Sequence, residues 1–226
     1  MRVPLDEAPH NRVLFRSFAV LCAACAALPL AAQPVETGVF RPPDLVEIVR
    51  LDSTIRLDIR YATTDNFMKR RMYAEPRAFP QRPAALALLR VHRALRARGL
   101  GILVKDAYRP WSVTKQFWDE TPPALRHFVA NPAKGSKHNR GCAVDCTLYR
   151  LKGGEEVRMP GAYDEFSVRA SPRYEGGTPA ERRMRELLRA SMKAEGFTVD
   201  PGEWWHFDYR DWKSYRVLDV PFGAIR

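Results

Sequence analysis

The segment Cys142-Ala143-Val144-Asp145-Cys146-Thr147-Leu148-Tyr149 sets an aspartate in the middle of an apolar run. Such a run reads as a buried strand, and burying a bare carboxylate is costly. Asp145 therefore needs a cation, a metal or several donors, and any fold open to this chain must bring them to the interior of its sheet. Alternation puts Ala143 and Asp145 on one face and Cys142 and Val144 on the other. Seven residues earlier, His138 lies on a loop that Gly141 allows to turn sharply, which folds an imidazole back toward that carboxylate.

Around this strand the pattern mixes helices and strands irregularly. Val46–Leu51 and Thr54–Tyr61 read as short strands, and the proline-rich Lys69–Pro83 as a loop. Ala84–Arg98 reads as a helix, with Leu88, Val91 and Leu95 on one face, Arg90, Arg93 and Arg96 on the other, and Gly99 as its stop. Gly101–Tyr108 is a buried strand, Ser112–Asp119 a helix, and Pro122–Val129 a further turn or two. Thr178-Pro179-Ala180-Glu181 is a capping box opening a helix whose stripe is Met184, Leu187, Leu188 and Met192, ended by Gly196. Trp204–Tyr209 is the last strand. The prediction is an α+β fold with a mostly antiparallel sheet. At 226 residues, 46% of them hydrophobic, the chain suits one domain with a short appendage.

Residues 1–32 are that appendage. A polar start ending in Arg12 and Arg16 leads into an apolar run from Phe18 to Leu28 that is too short to span a bilayer. Pro29 breaks the run, and Ala31-Ala32-Gln33 offers a cleavage site, although Leu30 fits the small-residue rule poorly. The pattern is that of a signal peptide, so the chain is expected in the periplasm, with no stable membrane insertion after cleavage. A buried helix or an uncleaved anchor is the competing reading. Gln33–Pro43, with three prolines, reads as an extended linker, and residues 44–226 as the folded domain.

The net charge is +11, and +10 without residues 1–32. No basic run with interleaved aromatics accompanies it, which argues against nucleic acid. Attraction to anionic envelope polymers and a plain solvated surface both account for it. Cys142 and Cys146 would lie roughly 13 Å apart on an extended strand, beyond the reach of a disulfide. Both read as small core residues.

Beyond His10, four histidines remain. His92 in the Arg-rich helix and His127 in a short mixed stretch read as surface or boundary residues. His138 and His206 differ through their neighbours, since Glu203-Trp204-Trp205-His206 adds a second imidazole with a carboxylate three residues before it. Two imidazoles and one carboxylate with an open fourth position make a catalytic zinc site. A nearby carboxylate that is not a ligand can take the proton of a bound water, and Glu203 suits that task. Strand alternation would turn residues 203 and 206 to opposite sides, so Glu203 is expected on the Pro201-Gly202 turn, outside the ladder. Either cluster alone reads equally as a salt-bridged core aspartate or a tryptophan-packed structural histidine.

Together the clusters carry a resemblance. Ser136, His138, Gly141, Ala143 and Asp145 match every fixed position of SxHxxGxAxD, and Glu203-Trp204-Trp205-His206 matches its ExxH partner. The chain resembles the metallopeptidases that include D-alanyl-D-alanine dipeptidases and carboxypeptidases. Leu57–Thr63 with Asn66-Phe67, Asp106–Pro110 and Thr147-Leu148-Tyr149 point to the dipeptidase branch. The resemblance implies a compact α+β domain over 44–226, with its zinc site on a central antiparallel sheet. It implies one Zn2+ per chain held by His138, Asp145 and His206, with Glu203 as base and Arg109 stabilising the tetrahedral intermediate. Asp164 would receive the free amine of the substrate, beside Tyr61 and Ser136. Arg109 also reads as a turn-fixing partner of Asp106, and Asp164 as a loop cap. The implied activity is hydrolysis of D-alanyl-D-alanine or a related D,D-dipeptide. Its alternatives are a carboxypeptidase or peptidoglycan endopeptidase on the same scaffold, and a non-catalytic envelope-binding domain. The stretch from Arg109 to Ser136 is shorter than in some vancomycin-resistance members, which leaves the permitted substrate size open.

Overall fold

A computed structural model describes residues 32–225, so the expected signal peptide falls outside the described residues apart from Ala32. The first element departs from its expectation. Val46 and Ile48 donate their N–H groups to the carbonyls of Pro80 and Ala78, and the chain then winds into one helical turn, α1 (Ile48–Leu51). Ile48 is fully buried there. The extended stretch before α1 pairs with the neighbouring segment only through these bonds and the Leu45–Gln81 bridge, too few to make a strand. Likewise, only Arg56–Leu57 of the second expected strand extends, as β1, because Arg60–Ala62 turns into a 3-10 helix that buries Tyr61 and Ala62.

The later elements follow the sequence pattern closely. They are α2 (Arg82–Arg96), β2 (Leu100–Asp106), α3 (Trp111–Glu120), β3 (Ala143–Arg150), α4 (Pro179–Ala194), β4 (Phe197–Val199) and β5 (His206–Tyr209). The further turns expected over Pro122–Val129 are a 3-10 segment, Pro123–Phe128. In α4, Thr178 Oγ1 accepts the Glu181 N–H, and the Glu181 carboxylate accepts the Thr178 N–H at 2.7 Å. That satisfies two orphan donors of the helix start, as the capping box requires. β4 was not foreseen; its three residues are too short to show a period.

The five strands lie in the order β1-β2-β3-β5-β4, and only the β1–β2 pair is parallel. The sheet is therefore mostly antiparallel, as expected. Helix α2 packs on β2 and α4 on β3 and β4, with Leu88, Val91, Leu95, Leu188 and Met192 buried. His92 does not lie at the surface. It is fully buried, with Nδ1 accepting the Ile102 N–H at 3.0 Å and Nε2 within 2.9 Å of Thr54 Oγ1, so it fastens α2 to the sheet. Burial pushes its pKa down, consistent with a neutral ring making both bonds. Cys142 and Cys146 are buried free thiols.

Residues 33–43 hold no regular structure but are tied down. Glu36 accepts from Arg140 and from the Val217 N–H, and Arg41 donates its N–H to the Ser214 carbonyl at 2.8 Å. This is an extended arm fixed to the domain. No helix among the described residues is long and apolar enough to cross a membrane.

Candidate active site

One irregularity of the sheet builds the site. Val104 pairs with Cys146, yet Asp106 pairs with Asp145, so β2 carries an extra residue, Lys105, between them. Paired residues share a face and successive residues alternate, so this bulge turns Asp106 onto the face of Asp145. Asp145 in turn pairs with His206 of β5. Three adjacent strands thus present Asp106, Asp145 and His206 side by side.

His138 reaches them from its loop. The 3-10 turn His138–Arg140 closes on Gly141 at φ +67, a left-handed value suited to glycine. A Cβ there would also meet Leu45 Cδ2 at 2.5 Å. Ser136 Oγ accepts the His138 N–H at 3.1 Å and shapes the turn. His138 Nε2 stands 3.2 Å from Asp145 Oδ1, His206 Nδ1 stands 3.1 Å from the same oxygen, and the two ring nitrogens are 3.1 Å apart. All three side chains are buried.

Each imidazole is oriented through its other nitrogen. His138 Nδ1 lies 2.6 Å from the Ala107 carbonyl, so it carries the proton and Nε2 presents a lone pair. His206 Nε2 donates to Asp208 Oδ1 at 2.9 Å, which leaves Nδ1 facing Asp145. Burial lowers the pKa of His206, but Asp145 and Asp208 together raise it well above the usual value. A metal would displace that Nδ1 proton. Burial likewise raises Asp145, but His138 and His206 outweigh it and hold the carboxyl far below the usual range.

This donor set fits a tetrahedral metal. Ligands at about 2.0–2.1 Å from zinc lie roughly 3.3 Å from one another, close to the triangle observed. Asp145 Oδ1 is buried with no hydrogen bond of acceptable geometry, an orphan that a cation would satisfy. A second group, Asp200, His206 and Asp208, also converges, but there the Asp208 carboxylate is already held by Lys137 Nζ at 2.6 Å.

Glu203 lies outside the ladder, as strand alternation required, with Oε2 3.6 Å from His206 Nδ1. Its side chain keeps 29% of its surface open to the cavity. Burial and the nearby Asp145 raise its pKa to about 8, against an opposing pull from His206. Arg109 is the partner of Asp106 that the sequence allowed, and it also lines the cavity. Its Nε and Nη2 donate to Asp106 Oδ2 at 2.9 and 2.8 Å, and Nη2 is 3.9 Å from Asp145 Oδ2. The donors of Nη1 are left for a ligand in the cavity that Arg109 lines. The guanidinium also lies over Tyr61 and Phe117, at 5.4 and 4.9 Å from their ring centres.

Asp164 sits on the same cavity at φ +59, a left-handed conformation that aspartate tolerates. Tyr61 OH donates to its Oδ2 at 2.6 Å, leaving Oδ1 free for another donor. Burial raises Asp164 to about 7, although the Tyr61 hydrogen bond pulls the other way. The cavity, about 400 Å³, brings together Tyr61, Arg109, Ser136, His138, Asp145, Asp164, Glu203 and His206. All eight candidate site residues of the sequence line it. The sequence reading did not find Asp208, Lys137 or the Ala107 carbonyl. Only Asp208 left a signal there, two residues from His206 and so on the same strand face.

Two imidazoles and a carboxylate converge here as a group that could hold a metal ion, with a glutamate beside them. The chain is a metallopeptidase. Residues 42–220 match the family described as D-ala-D-ala dipeptidase, and the chain belongs to that family. It is 31% identical over 182 residues to the D-alanyl-D-alanine dipeptidase of Escherichia coli (strain K12), covering 80% of this chain and 93% of that one. It is 33% identical over 178 residues to the D-alanyl-D-alanine dipeptidase of Enterococcus faecium, covering 70% of this chain and 87% of that one. The solved vancomycin resistance D,D-dipeptidase VanXYg, in complex with a D-Ala-D-Ala phosphinate analog, is a weaker likeness. It has a TM-score of 0.41 and 21% identity, over 60% of this chain and 52% of that one.

Proposed function

We propose that this protein hydrolyses D-alanyl-D-alanine, or a closely related D,D-dipeptide, with one zinc ion held by His138 Nε2, Asp145 and His206 Nδ1. The observation that carries this reading is the triangle of donor atoms 3.1–3.2 Å on a side, with both imidazoles oriented from behind. Zinc there supplies a Lewis acid and lowers the pKa of a water. Glu203 takes the proton of the attacking water and returns it to the leaving amine, and a carboxyl raised to about 8 trades protons readily near neutral pH. Arg109, held rigid by Asp106, offers its remaining donors to the oxyanion as it develops. Asp164 holds the substrate ammonium through the oxygen that Tyr61 leaves free, and Ser136 sets the turn that aims His138. With residues 1–32 acting as an export signal, this activity lies in the periplasm.

Metal analysis combined with an assay on D-alanyl-D-alanine, its L,L isomer and its N-acetyl derivative tests the reading. About one zinc per chain is expected, with hydrolysis of the free D,D-dipeptide alone and loss of activity under chelation. Equal hydrolysis of the acetylated substrate would favour a carboxypeptidase instead.

A further inference from the structure

The cavity has a wall that D-alanyl-D-alanine, with its two methyl side chains, does not explain. Phe67, Phe117, Phe128 and Phe166 all line it. Phe117 is buried, while Phe67, Phe128 and Phe166 are half-buried and keep part of their surface open. The rings form a continuous series. Phe128 stacks on Phe166 with centroids 4.9 Å apart and planes 13° from parallel, Phe166 tilts against Phe67 at 5.1 Å, and Phe67 meets Phe117 edge-on at 4.9 Å. Three separate segments contribute these rings: the loop after β1, helix α3 with the 3-10 segment that follows it, and the Asp164 loop. Open aromatic surface in a cavity that also holds charged groups is the usual mark of a place for apolar ligand groups.

The wall adjoins the Asp164 side of the site. Phe166 follows Asp164 by two residues, and Tyr61, whose hydroxyl holds Asp164, packs 4.8 Å from Phe117 and 6.2 Å from Phe67. In a dipeptide the N-terminal Cα bears both the ammonium and the first side chain. An ammonium anchored on Asp164 therefore brings that side chain beside Tyr61, the partner of Asp164, and toward the rings that Tyr61 packs against.

We propose that the phenylalanine wall is a subsite for the side chain of the substrate's first residue. The preferred substrates are then D,D-dipeptides that begin with a bulky apolar residue rather than with alanine. This rests on the dipeptidase reading, and on Asp164 as the ammonium site in particular.

The test compares D-Ala-D-Ala, D-Leu-D-Ala, D-Phe-D-Ala, D-Ala-D-Leu and N-acetyl-D-Leu-D-Ala on the zinc-loaded wild type. Burying each added methylene is worth about fourfold, so D-Leu-D-Ala is expected to exceed D-Ala-D-Ala in kcat/KM by about tenfold or more. D-Ala-D-Leu should show no such gain. Calorimetry on the Glu203→Gln protein should show the same order in affinity, without turnover. Phe166→Ala and Phe128→Ala should each cut the D-Leu-D-Ala to D-Ala-D-Ala ratio several-fold; the wild-type series decides the matter even if a variant fails to fold. If D-Leu-D-Ala is no better than D-Ala-D-Ala, the subsite is refuted while the dipeptidase reading stands. A gain on D-Ala-D-Leu or on the acetylated substrate would assign the wall to another residue of the substrate and overturn the proposal. Failure to cleave any of these dipeptides would refute the underlying reading itself.

Discussion

Asp106 lies directly across from Asp145 in the β2–β3 ladder, on the same face, because Lys105 is bulged out between Val104 and Asp106. Two buried carboxylates on adjoining strands repel unless a cation sits between them. Burial raises the pKa of Asp106, while Arg109 and His138 pull it back. Arg109 touches both carboxylates, at 2.8 Å and 3.9 Å. Its position therefore bears on folding as well as on the chemistry proposed for it.

Arg109→Met should destabilise the metal-free protein by about 3–5 kcal/mol, since it strands a buried charge. Adding Asp106→Asn should restore much of that loss. Neither protein should recover turnover, with a fall in kcat of about 10²–10³ from the missing oxyanion donor. Denaturant unfolding and steady-state kinetics on the two variants separate the roles. If Arg109→Met/Asp106→Asn is as active as wild type, the guanidinium is purely structural.

Asp208 does not line the cavity, yet it orients His206 through Nε2. Asp208→Ala should weaken zinc affinity by about 10- to 100-fold, the usual cost of removing the group behind a ligating histidine. His206→Ala should lose the metal outright. Competition with a chelating dye measures both, and unchanged affinity in Asp208→Ala would show that the tautomer is held by other means.

Glu203→Ala should retain zinc and fold while losing several orders of magnitude in turnover, because proton transfer is removed and the ligands are untouched. Metal content and kcat on one preparation give the answer. Near-normal turnover would require a different base.

Asp164 is best replaced by asparagine, since residue 164 holds φ +59 and asparagine tolerates that conformation. Asp164→Asn should lower kcat/KM on free dipeptide by roughly 30- to several-thousand-fold, the range for losing one member of a desolvated charge pair. It should also narrow the preference for free over acetylated substrate. A carboxyl raised to about 7 binds its proton more tightly in the folded chain than in the unfolded one. It therefore contributes stability below about pH 4 that is lost as the pH rises through about 7. In the metal-free protein, Asp164→Asn should remove that share of the decline, and an unchanged pH–stability profile would contradict it.

Protein from its native host should begin near Gln33 and be found outside the cytoplasm. Recovering the chain from Met1 onward in the soluble cytoplasmic fraction would count against export.

The groups that meet at the site were legible in the sequence. An aspartate inside an apolar strand must find partners, and the spacing of His138, Asp145, Glu203 and His206 named the groups that the cavity brings together. Even the place of Glu203 outside the ladder followed from the two-residue period of a strand. The long amphipathic helices and the Thr178–Glu181 capping box were equally legible, because each is settled within a few residues of chain. The tertiary structure decided what depends on register. A one-residue slip reverses every side chain of a strand, and no local pattern at Lys105 announces the bulge that turns Asp106 toward Asp145. The same holds for the groups behind each imidazole, the Ala107 carbonyl for His138 and Asp208 for His206, and for the burial of His92 beneath Thr54. It holds too for the four phenylalanines, scattered between residues 67 and 166, which become one wall only when three distant segments meet. Local sequence fixes which groups are available, while long-range packing fixes which of their atoms face one another.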